Sequence, residues 1–175
     1  MGFIIVFSLL AVAAYYFHYN TIRKYEGTGD IIERESRFYE KIETLYTTAG
    51  YEAIREEIYK GPFVFPDRPD EDADLSAFLK WGKHNSNVNV KEDSEHQLFK
   101  FYLPAEWAAV FERVVQKEGK NAYEFQFVEW RTKNKRNYNK FQMNYTLTYI
   151  EKAILRLDPD ATYELREGSY KKPLI

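Results

Sequence analysis

The 175-residue chain contains no cysteine. That absence excludes disulfide cross-links, thiolate metal sites and a cysteine nucleophile, and it is compatible with either side of a membrane. A net charge of one sign is also missing. Lys and Arg number 25 against 27 Asp and Glu, a formal charge of −2. Such a balance carries no global signature of a polyanion binder. The sequence shows no repeat or low-complexity tract, which argues against a solenoid. It has no G-x-S-x-G elbow, no Walker A loop and no H-E-x-x-H. Gly27-Thr28-Gly29-Asp30 lacks the third glycine and the preceding strand of a dinucleotide loop. Together these gaps argue against an enzyme, and they assign no cofactor, no metal and no catalytic residue.

Asp, Glu, Lys and Arg are all absent from residues 1–19. Phe3 to Tyr19 is at the short end of what crosses a hydrocarbon core as a helix. Tyr15, Tyr16, His18 and Tyr19 cluster at one end, where an interfacial belt belongs. Ala11-Val12-Ala13 resembles a signal-peptide cleavage site, but no basic residue precedes the run. The expectation is therefore a transmembrane anchor over 1–19 that contacts membrane lipid. A cleaved signal and a buried helix are the alternatives. Arg23 and Lys24 follow at once, with Arg34, Arg37 and Lys41 beyond. This bias places the N-terminus outside and the domain on the cytoplasmic side, or the matrix side in an organelle.

Aromatic residues are abundant, at 18%, with 15 Tyr and 13 Phe. They supply large apolar area with few aliphatic side chains. After a connector at 20–29, a soluble α+β domain is expected over 30–175. Its first part, 30–60, reads as helical. Asp30 and Glu33 form an Asp variant of a capping box, and Ile31, Phe38, Ile42, Leu45 and Ala49 form a stripe at helical spacing. Gly50 breaks that helix, and Tyr51, Ile54 and Ile58 form a second stripe. Residues 61–95 are loop-rich, with a short helix from Leu75 to Trp81 capped by Asp74.

Residues 96–170 read as a sheet plus a helix. A strand at 96–103 is followed by a helix at 104–118, with Pro104 in its first turn and Trp107, Val110, Phe111 and Val114 on one face. Tyr123, Phe125 and Phe127 alternate in a strand whose pattern slips near Val128-Glu129-Trp130, as a bulge would make it do. Phe141, Met143, Tyr145, Leu147 and Tyr149 also alternate, which predicts a long strand paired with 123–130. Residues 161–166 add a last strand. The predicted architecture is α+β: one transmembrane helix, a helical segment, then an antiparallel sheet of three or four strands packed by one helix.

Four clusters invite a functional reading. Asp70-Glu71-Asp72-Ala73-Asp74 resembles the opening of a calcium loop, but Leu75 stands where glycine is needed and Trp81 where glutamate is needed. A solvated loop ending in a helix cap fits better. His84 and His96 lie near Asp93 and Glu95 without metal-ligand spacing. Arg131, Lys133, Lys135, Arg136 and Lys140 form a basic run on the predicted hairpin tip, flanked by Trp130 and Tyr138. Cations interleaved with aromatics suit a contact surface for an anionic partner, and a solvated Lys-rich turn has the same composition. Beside an expected membrane, anionic lipid suits this run better than nucleic acid. Lys171 and Lys172 have the wrong spacing from the C-terminus for a retrieval signal.

The functional expectation is a membrane-anchored, non-enzymatic protein-interaction module. It would serve as an accessory subunit of a membrane complex or as a toxin-neutralising or exclusion factor. The alternative is a membrane-associated hydrolase that uses carboxylates or histidines without a local motif.

Overall fold

The computed structural model describes Val12, Ala13, Tyr16, Asn20 and residues 31–65, 88–117, 119–132 and 137–168. The chain divides into two units, Met1–Arg34 and Glu35–Ile175. In the first unit Val12, Ala13, Tyr16 and Asn20 are helical and exposed.

The second unit is built on a six-stranded antiparallel sheet. Its strands are β1 (Lys41–Thr47), β2 (Asn89–Asp93), β3 (Leu98–Leu103), β4 (Trp107–Lys117), β5 (Lys120–Trp130) and β6 (Thr162–Glu167). They lie in the order β2-β3-β4-β5-β1-β6. Helix α1 (Tyr51–Tyr59) follows β1, and helix α2 (Lys140–Leu157) joins β5 to β6. One 3-10 turn, Phe38–Glu40, precedes β1.

The core lies between one face of the sheet and the two helices. Phe99, Phe101, Phe111, Tyr123 and Phe125 come from the strands, with Ile54 and Ile58 from α1 and Met143, Ile150 and Ile154 from α2. Strand register sets the aromatic contacts, because Phe99 is opposite Phe111 and Phe111 opposite Phe125. The Phe111 and Tyr123 rings stack with centroids 5.5 Å apart. Phe63 wedges between Phe101 and Tyr149, 5.1 Å from each. Ring pairs in these geometries contribute about 0.5–1.5 kcal/mol each beyond their buried area.

The stripe of Tyr51, Ile54 and Ile58 is the buried face of α1, as its spacing predicts. The bulge expected near Val128 is also present. Ala108 pairs with Glu129 and Ala109 with Phe127, which leaves Val128 as the extra residue. The strands at 98–103, 120–130 and 162–167 overlap those expected at 96–103, 123–130 and 161–166.

Four expectations are overturned. No helix runs over 31–49, since Lys41–Thr47 is strand β1. Both faces of this strand are buried, so Ile42 on one side and Leu45 on the other imitate helical spacing. The helix expected at 104–118 is strand β4, and Pro104 is in the turn before it. The strand expected at 141–149 is part of helix α2. The segment expected as loop at 83–95 contains β2. The sheet accordingly has six strands rather than three or four, and two helices pack on it among the described residues.

The anchor is corrected too. Among the described residues, no helix is long and apolar enough to cross a membrane. Most of residues 1–19, and all of the 20–29 connector except Asn20, lie outside the described residues. A single-pass span, contact with lipid through it and the orientation drawn from its flanks are therefore unsupported.

The reversal from β3 to β4 is tight. Glu106 N donates to Leu103 O at 3.0 Å, which closes a turn over Pro104 and Ala105. Ala105 has φ +59°, a left-handed conformation that costs an L-residue about 1–2 kcal/mol. Ala105→Gly is expected to raise the unfolding free energy by about 1 kcal/mol, read from the urea midpoint. A lower midpoint would show that the Ala105 methyl contributes packing that outweighs the strain.

Candidate functional site

Two clusters of charged and polar side chains in the second unit fasten the fold, and the carboxylates of Glu43 and Glu151 are buried as well. The first cluster joins α1 to β2. Tyr51, Arg55 and Tyr59 recur every four residues along one side of α1, and all three meet Glu92. The Tyr51 hydroxyl donates to Glu92 Oε1 at 2.8 Å, and Arg55 Nε donates to the same oxygen at 2.6 Å. The Tyr59 hydroxyl donates to Oε2. The Arg55 guanidinium also lies 5.0 Å above the Tyr59 ring, and Phe65 flanks that ring at 4.6 Å.

Burial pushes the Glu92 carboxyl up, but hydrogen bonds from Arg55, Tyr59 and Tyr51 outweigh it and hold the group below the usual carboxylate range. Burial, then the bond to Glu92, raises the phenols of Tyr51 and Tyr59. Glu92 is thus a charged acceptor with three donors upon it. It is a poor general base, because its proton affinity is low and both of its oxygens are engaged.

The second cluster closes the end of α2. Asp158 follows the helix and accepts from Thr48 N at 2.6 Å, Thr47 Oγ1 at 2.8 Å and Thr48 Oγ1 at 3.0 Å. Its other oxygen accepts from Asp160 N at 3.2 Å. The Thr48 amide bond, followed by the Thr47 hydroxyl bond, lowers its pKa to about 2. Asp158 therefore ties the start of the β6 connection to the end of β1. Nearby, Glu57 of α1 takes Lys60 at 2.8 Å and Arg156 of α2 at 3.0 Å, which links the two helices.

Comparison with protein-family models, curated proteins and solved structures finds no match. The functional reading therefore rests on this chain's own surface.

The basic run does not form a hairpin tip. It lies between β5 and α2, and Lys133, Lys135 and Arg136 are outside the described residues. Arg131 is 3.8 Å from Glu106, and its backbone N–H donates to Glu106 O at 2.7 Å. The Lys140 ammonium lies 5.7 Å above the Tyr39 ring. Trp130 is buried, with its ring 5.4 Å from Tyr39, so it belongs to the core and not to a contact surface. Tyr138 is exposed.

His96 is in the turn between β2 and β3, where its ring Nδ1 is 2.8 Å from Asp93. This is a turn contact on the surface. The acidic loop at 70–74, the short helix 75–81 and His84 lie outside the described residues. Among the described residues no group of three or more His, Cys, Asp or Glu is placed to hold a metal.

One surface stands apart from these closed clusters. Among the described residues β6 is the outermost strand on its side of the sheet, and all six of its residues are exposed. Tyr163 is 63% exposed and Leu165 48%, and both share the helix-bearing side of the sheet with Leu45 and Glu43 of β1. Leu155 and Leu157, near the end of α2, are exposed as well. The opposite edge is different. There β2 carries a parallel bridge from Asn89 to Val64, with Val64 N donating to Val88 O at 2.9 Å and Val90 N to Val64 O at 2.7 Å. A last strand is expected at 161–166, but no local signal announces its place at the edge.

Proposed function

We propose that this protein is a non-enzymatic interaction module whose contact surface is the β6 edge. One observation carries the reading: an outermost strand exposed along its full length, with Tyr163 and Leu165 on one face. An outermost strand has a row of main-chain donors and acceptors on its outer side, which is the template for strand addition by another chain. Large side chains at alternate positions supply the pockets and anchors that give such pairing its specificity. The charged clusters support the same reading from the other direction. Glu92, Asp158 and Glu57 are each occupied by bonds that hold elements together.

The test compares recovery of bound proteins from native extract by the wild type and by the double variant Tyr163→Ser, Leu165→Ser. Proteins that bind the wild type should fall by at least about tenfold with the variant, the loss expected on removing interface anchors. Equal recovery by both, with circular dichroism unchanged, would overturn the reading.

A further inference from the structure

The β6 edge also carries information about its partner. Gly168 N donates to Glu40 O at 3.2 Å, and these two residues are opposite each other one step beyond the Lys41–Glu167 pair. In an antiparallel ladder, hydrogen-bonded and non-hydrogen-bonded pairs alternate. The main-chain groups of Thr162, Glu164 and Arg166 therefore point towards β1. Those of Tyr163, Leu165 and Glu167 point away from it, along the outer edge.

We infer that the partner is a second copy of this chain, its β6 paired antiparallel with the first about a two-fold axis at Leu165. The inference rests on the reading of β6 as the contact surface. Backbone parity leaves few registers, since only outward-pointing residues can exchange hydrogen bonds across the new seam. Centring on Glu164 sets Glu164 against its own copy, and centring on Arg166 sets Arg166 against its own. Like charges directly opposite are unfavourable. Centring on Leu165 places Glu164 opposite the other copy's Arg166, and the two-fold repeats that contact. Both fall at non-hydrogen-bonded positions, where side chains approach most closely. Leu165 then meets Leu165, and Tyr163 meets Glu167. About six main-chain hydrogen bonds form along the seam.

The charged groups have capacity for this contact. Arg166 donates to both oxygens of Glu124 at 2.7 Å, but both bonds come from Nη2. Among the described residues no carboxylate takes Nε or Nη1 of the same guanidinium, and both are donors for a second one. Glu164 accepts only a 3.2 Å contact from the Tyr46 hydroxyl among its described side-chain bonds. The strand is thus self-complementary in charge at the one register in which its apolar centre also meets itself. A two-fold contact of this kind closes on two copies and produces no fibre.

The experiment uses the full chain. Sedimentation equilibrium of the wild type should give twice the 20.9 kDa chain mass. Leu165→Lys sets two ammonium groups against each other at the axis and should give a single-chain mass with circular dichroism unchanged, because Leu165 is 48% exposed in the single chain. The absence of cysteine permits a direct test of register. In the inferred pairing two Leu165 Cα atoms are about 5.5 Å apart, inside the range a disulfide bridges. Leu165→Cys should form a covalent dimer under mild oxidation. Glu164→Cys, about 7–8 Å from its own copy, should form it at least tenfold more slowly.

A wild type that stays a single chain at all concentrations overturns self-pairing. So does a dimer that Leu165→Lys leaves intact, or equal cross-linking rates for the two cysteine variants. A single-chain wild type that still loses its extract partners on replacement of Tyr163 and Leu165 overturns self-pairing alone. Loss of neither property on those replacements overturns the reading of the edge itself.

Discussion

Replacing Glu92 with alanine is expected to destabilise the fold by about 3 kcal/mol, because it removes a largely buried acceptor from three donors at once. Arg55 would keep its charge at a partly covered site with Glu52, at 3.8 Å, as its remaining acidic neighbour among the described residues. The Tyr51 and Tyr59 hydroxyls would lose the acceptor that positions them. Their rings would remain against Phe99, 5.7 Å and 6.4 Å away, so the core is not opened directly. The loss should therefore be local as well as global. Amides of β2 and the end of α1 should exchange faster than those of β4 and β5. Glu92→Gln keeps the shape and one good acceptor, and should cost less, about 1 kcal/mol. Urea unfolding and hydrogen exchange of the two variants measure this order. A Gln variant as damaged as the Ala variant would show that charge, rather than acceptor geometry, holds the cluster.

Asp158→Asn should lower the thermal midpoint by several degrees and flatten the acid side of the stability profile. The sign follows from the direction of the shift. The Asp158 pKa is lowered to about 2 in the folded protein, from an ordinary value near 3.8. A carboxyl depressed by folding contributes stability in full above its unfolded value and loses it as pH falls through its folded value. The wild type should therefore weaken between about pH 4 and pH 2 from this group, and Glu92 adds to the acid slope with the same sign. Asp158→Asn removes the Asp158 part. It retains a side-chain carbonyl but places an amide against donors from Thr47 and Thr48. Thermal melts from pH 2 to pH 7 check both features. An unchanged slope below pH 4 would show that Asp158 does not titrate with folding.

Three misread segments have two physical causes. Helix α2 carries a buried ladder of Met143, Leu147, Ile150 and Ile154. A second ladder, Phe141, Tyr145 and Tyr149, is offset from it by two residues, and its first two rings stack at 6.5 Å. Two helical ladders interleaved at that offset put an apolar residue at every second position, which is the period of a strand. The error at β1 and β4 runs the other way. Both are interior strands, β1 between β5 and β6, and β4 between β3 and β5. Each strand buries neighbouring residues that point to opposite faces, Thr44 and Leu45 on β1 and Ala108 and Ala109 on β4, so strict alternation is lost and helical spacing arises by coincidence. Gly119 shows the same ambiguity in one residue. It follows the helix expected at 104–118, where a glycine commonly ends a helix, and it turns the β4–β5 hairpin with φ +79°.

The sequence by itself determined the gaps: no cysteine chemistry, no local catalytic signature, no strong net charge and an aromatic core. It also determined the stripe of α1, which has a single burying face, and the strand at 123–130, which alternates, and it marked the approximate places of two further strands. Strand order was left to the tertiary structure, and with it the identity of the groups that matter. Glu92 meets Arg55 across 37 positions, and Asp158 meets Thr47 across 111. Contacts at such separations leave no periodic trace in a single sequence. The edge position of β6 is of the same kind. The sequence marks 161–166 as a strand, but only the pairing of β1 with both β5 and β6 leaves that strand outermost among the described residues and turns the main-chain groups of Leu165 outwards.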